Sequence, residues 1–274
     1  MVVIVASHVD RFASGLLAPE LLALDFDGVI CNGLQEYFQT AWAAHCQLWS
    51  PDTVEPPAGL AEAFYRLRPV VETGWEMPVV IHALRSGFSE QAILADWHNI
   101  AIEMLQQHHS TPQQVGGLVD HLRDVAIQTH LPDWLGTHSF YPGVLDRLKS
   151  IDNWLIISTK EGRFIHQLLA DAGIELPPER IFGKEQKRPK YEILRELKRR
   201  YKSIWFIEDR FRTLETVQKQ SDLQDIQLFL ADWGYNLPTE RHVAQQSGRI
   251  RLINLTQFSQ DFAMWVERQP KPTG

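Results

Sequence analysis

The stretch Leu21-Leu22-Ala23-Leu24-Asp25-Phe26-Asp27-Gly28 decides the fold. Four apolar residues followed by two acids are typical of a β-strand that is buried on both faces and open at its carboxyl end. Asp25 and Asp27 are two residues apart, which places both side chains on one side of an extended chain, and Gly28 then allows the backbone to turn. The stretch therefore predicts a buried strand that ends in two carboxylates.

Similar apolar runs recur along the chain, and each ends in polar residues. They are 154–157 before Ser158 and Thr159, 204–207 before Glu208 and Asp209, 226–230, and 250–253. Helical patterns separate them, over 164–172, 191–200 and 212–219. This alternation predicts an α/β fold, a Rossmann-like parallel sheet with helices on both faces. Ligands bind beyond the carboxyl ends of such strands, so the polar residues are expected to share one edge.

Residues 33–139 show only helical patterns, over 35–48, 58–67, 78–85 and 90–107, and from Pro112 toward Gln128 behind the N-cap Thr111. We therefore predict an α/β core formed by 1–32 and 140–268. An all-α domain or lid, 33–139, is inserted into it, and a disordered tail follows at 269–274.

The composition excludes several classes of protein. With 44% hydrophobic residues the chain can build a packed core, and 27 Lys and Arg against 34 Asp and Glu give a net charge of −7, which disfavours binding to nucleic acid and to anionic membranes. Two cysteines without Cys-x-x-Cys spacing favour a reducing, cytoplasmic setting. Neither an export signal nor a membrane span is expected, and the oligomeric state is left open.

Two carboxylates at a strand end suit a divalent cation together with a nucleophile. An aspartate nucleophile forms an acyl phosphate, and a neighbouring acid can protonate the leaving group. The stretch Asp25-Phe26-Asp27-Gly28-Val29 resembles the first motif of the haloacid dehalogenase (HAD) superfamily, most of whose members are magnesium-dependent phosphohydrolases. Residues 156–160, 189–194 and 206–209 resemble its second, third and fourth motifs, in that order.

The resemblance implies a role for each matching residue. Asp25 is the expected nucleophile and Asp27 the acid and base. Ser158 is the expected phosphate-binding hydroxyl, and Thr159 is included because the motif allows a shift of one residue. Lys190 is the expected motif lysine. Lys187 is the alternative, since some members carry the lysine ahead of the helix.

The resemblance also implies a Mg²⁺ site formed by Asp25, the backbone carbonyl of Asp27, and Asp209. The fourth motif departs from the family pattern, because Thr213 stands where many members have an acid and Glu208 where many have glycine. Either Glu208 supplies the missing ligand or water does, which magnesium tolerates. The gap between Asp25 and Ser158 leaves room for a helical cap of the family's C1 type, and 232–235 resembles a loop of phosphoglycolate-phosphatase-like members.

The expected function is hydrolysis of a small phosphorylated metabolite through an aspartyl-phosphate intermediate. Asp27 disfavours dehalogenation, because a halide leaves without a proton. A phosphomutase and a HAD-like binding or assembly protein are the alternatives. Within the helical segment, Arg66, Arg68 and Trp75 are candidates for contact with the substrate, although a solvated surface loop explains the two arginines equally well.

Overall fold

The computed structural model describes residues 18–50 and 55–266; the predicted tail at 269–274 and the N-terminal residues lie outside these ranges. The strands are β1 (Leu21–Leu24), β2 (Cys31–Asn32), β3 (Ser139–Phe140), β4 (Trp154–Ile157), β5 (Ile181–Phe182), β6 (Ile204–Glu208), β7 (Gln227–Ala231) and β8 (Ile250–Ile253). The helices are α1 (Leu34–Trp49), α2 (Leu60–Leu67), α3 (Glu76–Arg85), α4 (Glu90–Gln107), α5 (Pro112–Gly136), α6 (Val144–Lys149), α7 (Gly162–Asp171), α8 (Lys190–Leu197), α9 (Phe211–Gln218), α10 (Pro238–Ser247), α11 (Leu255–Phe258) and α12 (Phe262–Val266).

Six strands form one parallel sheet in the order β5-β4-β1-β6-β7-β8. The strand β1 lies inside the sheet, where Ala23 is paired with Leu155 of β4 and Phe206 of β6. All four residues of β1 are buried. Alternate side chains enter the two apolar clusters on opposite faces of the sheet: Leu22 and Leu24 pack into one, and Leu21 and Ala23 into the other. The predicted α/β fold with a parallel sheet is confirmed.

The helices α1 to α5 follow one another between β2 and β3 and bury an apolar cluster of their own, which includes Phe64, Leu67 and Ile81. We call residues 33–139 the helical insert. The chain enters and leaves it through a two-stranded antiparallel ribbon, in which Cys31 pairs with Phe140 and Asn32 with Ser139. The insert is thus connected to the sheet beside the carboxyl end of β1.

The ribbon β2/β3 and the helices α11 and α12 were not expected from the sequence, and three further elements differ for identifiable reasons. The helix α5 continues to Gly136 rather than ending near Gln128, because the chain bends at the non-helical His130, two residues before Pro132, and then resumes a helix. The strand β5 has only two residues, too few for a recognisable pattern. The helix α10 has a single buried residue, Ala244, so its apolar periodicity is weak. None of the helices within 18–50 and 55–266 is both long and apolar enough to span a bilayer.

Candidate active site

A cavity of about 660 Å³ lies at the carboxyl ends of β1, β4 and β6, between the sheet and the helical insert. The insert contributes residues of α1 and α5 and of the segment 68–74 to its wall. Most residues predicted from the sequence line this cavity: Asp25, Asp27, Arg68, Ser158, Thr159, Lys187, Lys190, Glu208 and Asp209. The shared sheet edge, expected from the strand pattern, therefore brings the strand-end residues together, whereas Arg68 reaches the cavity from the helical insert.

Asp25 is a buried carboxylate held by two contacts. Its side chain is 8% exposed, and Oδ1 accepts a hydrogen bond from the Phe26 backbone N–H at 2.7 Å. Oδ2 lies 2.7 Å from Lys190 Nζ. Burial raises the pKa of Asp25 to about 7, against the opposing effect of Lys190 and with a further increase from Glu208. Negative charge on Asp25 is thus only partly compensated by the surrounding side chains.

Lys190 is the first residue of α8, and its ammonium group joins two acids. Nζ lies 2.7 Å from Asp25 Oδ2 and donates to Glu208 Oε2, also at 2.7 Å. Burial lowers the pKa of Lys190, but the two carboxylates outweigh burial and raise it, so the ammonium form is held. Lys187 is exposed at the cavity rim with a positive φ of 50°. Of the two sequence candidates, Lys190 is the one that contacts the acids.

Three buried acids, Asp25, Glu208 and Asp209, each offer a carboxylate oxygen within 4.8 Å of the others. Burial raises the pKa of Glu208 and of Asp209 as well as that of Asp25. Buried carboxylates at such distances need positive charge, and a set of oxygen donors suits a hard divalent cation such as Mg²⁺. Glu208 already uses both oxygens, accepting from Lys190 through Oε2 and from the Arg210 backbone N–H through Oε1 at 3.0 Å.

Asp209 is fixed by the loop that follows β7. Its Oδ2 accepts from the Tyr235 backbone N–H at 2.7 Å, and its carbonyl oxygen accepts from Asn236 Nδ2 at 2.9 Å. Two glycines make room for it. A Cβ on Gly28, where φ is +81°, would lie 2.1 Å from Asp209 Oδ2, and one on Gly234 would lie 2.2 Å from Asp209 Cβ. The segment 232–235 thus supports an acid of the site.

Asp27 lines the same cavity and has its own cation. Lys160 Nζ donates to Asp27 Oδ1 at 3.3 Å, and the Lys160 side chain is only 6% exposed. Its ammonium group also lies over the Tyr37 ring, 5.4 Å from the centroid. These contacts place a buried positive charge beside Asp27, separate from the one beside Asp25.

Ser158 and Thr159 follow β4 but differ in their surroundings. Ser158 is buried: its backbone N–H donates to Phe182 O at 2.9 Å, its Oγ accepts from the Lys160 backbone N–H at 3.3 Å, and its hydroxyl is hydrogen-bonded to Asp25. Thr159 is exposed on the cavity wall. Of the two hydroxyl residues, Ser158 is the one that lies beside Asp25.

Arg68 extends from the helical insert over the cavity. Its guanidinium carbon lies 5.0 Å from the Tyr37 ring centroid and 4.6 Å from that of Tyr235. Nη1 donates to Val71 O at 2.9 Å, while Nε is buried without a hydrogen-bond partner. No carboxylate within the described residues forms an ion pair with Arg68, although several acids lie near the cavity.

Two of the substrate-contact candidates lie outside the cavity lining, which corrects the sequence interpretation. Arg66, on α2, does not line the cavity. Its side chain is 59% exposed and pairs with Glu90 at 2.7 Å. Trp75 precedes α3 and packs against the apolar cluster of the insert. The helical phase explains the difference, because Arg66 and Arg68 are separated by two residues and so face different sides of the chain.

Several residues of the cavity were missed as site residues. Lys160 belongs to the second motif, so its position two residues after Ser158 could have identified it as a site residue. Tyr37 and Arg123 line the cavity from α1 and α5. Arg123 forms a bidentate pair with Glu36, at 2.7 and 3.0 Å. No local pattern marks them, because their positions depend on how the two helices pack.

No protein-family model matches the sequence, and no curated protein does. Solved structures do match the fold. A predicted phosphatase from Clostridium acetobutylicum superposes with a TM-score of 0.51 at 14% identity, covering 87% of this chain and 94% of that one. A conserved haloacid dehalogenase-like protein of unknown function from Agrobacterium tumefaciens gives 0.51 at 11% identity, covering 88% and 95%. The chain therefore has a HAD-like fold, as the resemblance predicted.

Proposed function

We propose that this HAD-like protein is a phosphatase that hydrolyses a small phosphomonoester with the help of Mg²⁺. The observation that carries the proposal is the set of three buried, mutually close acids, Asp25, Glu208 and Asp209, of which the first two contact Lys190, with Asp27 on the same cavity wall. Three mutually close carboxylates with one ammonium group are expensive to bury unless they do chemistry or bind a cation. The match to a structure described as a predicted phosphatase agrees with the proposal.

Each residue has a defined task in the proposed reaction. An oxygen of Asp25 attacks the phosphorus atom, and the bond from phosphorus to the leaving oxygen breaks as Asp27 gives that oxygen its proton. Water then attacks the aspartyl phosphate, Asp27 takes the proton from this water, and the bond between Asp25 and phosphorus breaks. Lys190 and Ser158 hold the phosphoryl oxygens.

Asp25, Asp209 and the Asp27 carbonyl would hold the metal ion, which supplies positive charge beside the phosphoryl oxygens when bound. The contacts of Glu208 with Lys190 and with the Arg210 backbone give this residue a different task, that of fixing the lysine. The same contacts account for Glu208 in the fourth motif, whose irregularity is the reason for considering a binding or assembly protein. They favour catalysis over that alternative.

We further propose that the substrate carries a second anionic group, which binds Arg68. This guanidinium lies in the cavity wall without a carboxylate partner among the described residues, and one of its buried N–H groups lacks an acceptor. A ligand carboxylate or phosphate offers the bidentate acceptor that a guanidinium prefers. The helical insert would then act as a specificity-determining cap.

The test is phosphate release from a panel of alkyl phosphates of equal length that end in a carboxylate, a methyl or an ammonium group. We expect Mg²⁺-dependent release that is fastest with the carboxylate. Asp25→Asn should lose at least about 10³-fold in kcat, and Arg68→Met should abolish the preference for the carboxylate. Equal, near-zero rates for the wild type and Asp25→Asn on every substrate would refute the phosphatase. Phosphoryl transfer to a sugar faster than to water would identify a phosphomutase instead.

A further inference from the structure

The negative charge of the protein is concentrated in the helical insert. Residues 33–139 contain twelve Asp and Glu but only four Lys and Arg, a net charge of −8. The remainder of the chain has 22 acids and 23 bases, a net charge of +1. An acidic unit therefore lies over a nearly neutral one, and the cavity lies between them.

The ion pairs between the two units all have the same polarity. Within the described residues the acid always belongs to the insert and the base to the sheet unit. The pairs are Arg212–Glu72 at 2.6 Å, Arg210–Glu72 at 3.9 Å, Lys184–Asp120 at 2.8 Å and Arg163–Asp124 at 2.6 Å. Five of these residues, Glu72, Asp120, Lys184, Arg210 and Arg212, also line the cavity.

Arg210 connects the acids of the site with the segment 68–74 of the insert. It directly follows Asp209, and its backbone N–H donates to Glu208. Its side chain donates from Nη1 to the carbonyl oxygen of Val71, the same oxygen that accepts from Arg68 Nη1. A core arginine and an insert arginine thus meet at one carbonyl. Val71 is therefore a point at which the sheet unit contacts the segment that carries Arg68.

We propose that Arg210 and Arg212 are positioning residues, which hold the segment 68–74 over the cavity through Val71 and Glu72 and so place Arg68 against the substrate. The predicted effect on substrate binding rests on the proposed function, whereas the contacts that hold the segment do not. Because these contacts lie at the cavity rim, losing them is expected to loosen the segment 68–74 and to weaken the contact of Arg68 with the substrate.

The test is charge reversal at Glu72, read by hydrogen–deuterium exchange of the amides in 68–74. One exposed ion pair contributes little, but Glu72→Arg places a third cation beside Arg210 and Arg212, so we expect exchange to accelerate about three- to tenfold. The KM of the carboxylate-bearing substrate should rise by a similar factor, with kcat within about twofold. The double variant Glu72→Arg/Arg212→Glu should recover most of both changes.

Glu90→Arg is the matched control. It breaks the pair with Arg66, which at 2.7 Å is nearly as short as the 2.6 Å pair Arg212–Glu72 but lies wholly within the insert, and it should leave the exchange of 68–74 unchanged. Equal exchange in Glu72→Arg and the wild type, or no recovery in the double variant, would overturn the positioning role. If Glu72→Arg does not fold, Glu72→Gln in rising salt makes the same comparison. Faster exchange in a protein without phosphatase activity would support the positioning contact and reject the proposed function separately.

Discussion

The buried ion pair between Glu36 and Arg123 predicts a large loss of stability when one partner is neutralised. The two side chains are 2% and 12% exposed, and Thr40 Oγ1 adds a hydrogen bond to Glu36 at 2.8 Å. Burial raises the pKa of Glu36, but the charge and hydrogen bonds of Arg123 outweigh burial, and Lys160 assists, so the pKa falls from 4.5 to about 2. Such a decrease corresponds to about 3 kcal/mol in favour of the ionised, folded form.

We expect Glu36→Gln to lower the free energy of unfolding by about 3 kcal/mol at pH 7, because it leaves a buried guanidinium without its counter-charge. The sign of the pH dependence follows from the lowered pKa. The contribution of Glu36 is complete above pH 4.5 and is lost as the pH falls toward about 2, so the variant and the wild type should converge there. Urea unfolding, followed by circular dichroism between pH 2 and 7, measures both quantities.

Glu90→Gln is the control for this prediction, because the Glu90–Arg66 pair has the same 2.7 Å distance but side chains 34% and 59% exposed. It should cost less than about 1 kcal/mol. The double variant Glu36→Met/Arg123→Met should lie closer to the wild type than Glu36→Gln does, since no charge is left buried. A loss below about 1 kcal/mol for Glu36→Gln, or equal losses for the two single variants, would refute the reasoning.

Three further predictions follow from the same structure. Gly234→Ala should weaken Mg²⁺ binding at least about tenfold in calorimetry, because its Cβ would overlap Asp209 Cβ at 2.2 Å. The control Gly117→Ala, whose Cβ would have no atom within 4 Å, should leave Mg²⁺ binding unchanged. Lys160→Met should lower kcat by about 10- to 100-fold in steady-state assays with the fold intact, because Asp27 loses its cation. His45 is wholly buried, and burial, Arg85 and His108 lower its pKa from 6.5 to about 4. The folded protein therefore loses stability as the pH falls from 6.5 to 4, because protonation of His45 favours the unfolded chain. His45→Phe should reduce this loss, measured by urea unfolding.

Much of the α/β unit could be predicted from the sequence, because its strands are buried on both faces. The run Trp154–Ile157 and the helix Glu90–Gln107 have the bounds that their patterns predict. The polar residues Asp25, Ser158 and Asp209 could be placed at one cavity because parallel strands share a carboxyl edge.

The wall of the cavity formed by the helical insert could not be predicted in this way. Arg68, Tyr37 and Arg123 reach the cavity through the packing of α1 and α5 and the course of the segment 68–74. Periodicity shows which face of a helix is apolar, but not which neighbour it meets. The same limit explains Arg66, which shares its residue type and near neighbourhood with Arg68 yet pairs with Glu90 on the outside.

The ribbon formed by β2 and β3 bears on the order in which the protein folds. The strands β1 and β4 pair although about 130 residues separate them, for example at Leu22 and Trp154. If the helical insert and its ribbon form first, Cys31 and Phe140 are already together, and about 20 residues remain in the loop to be closed. This lowers the closure cost by about 1.5 kcal/mol. We therefore expect the insert to form before the sheet, so that its roughly one hundred residues slow the assembly of the central strands no more than a short loop would.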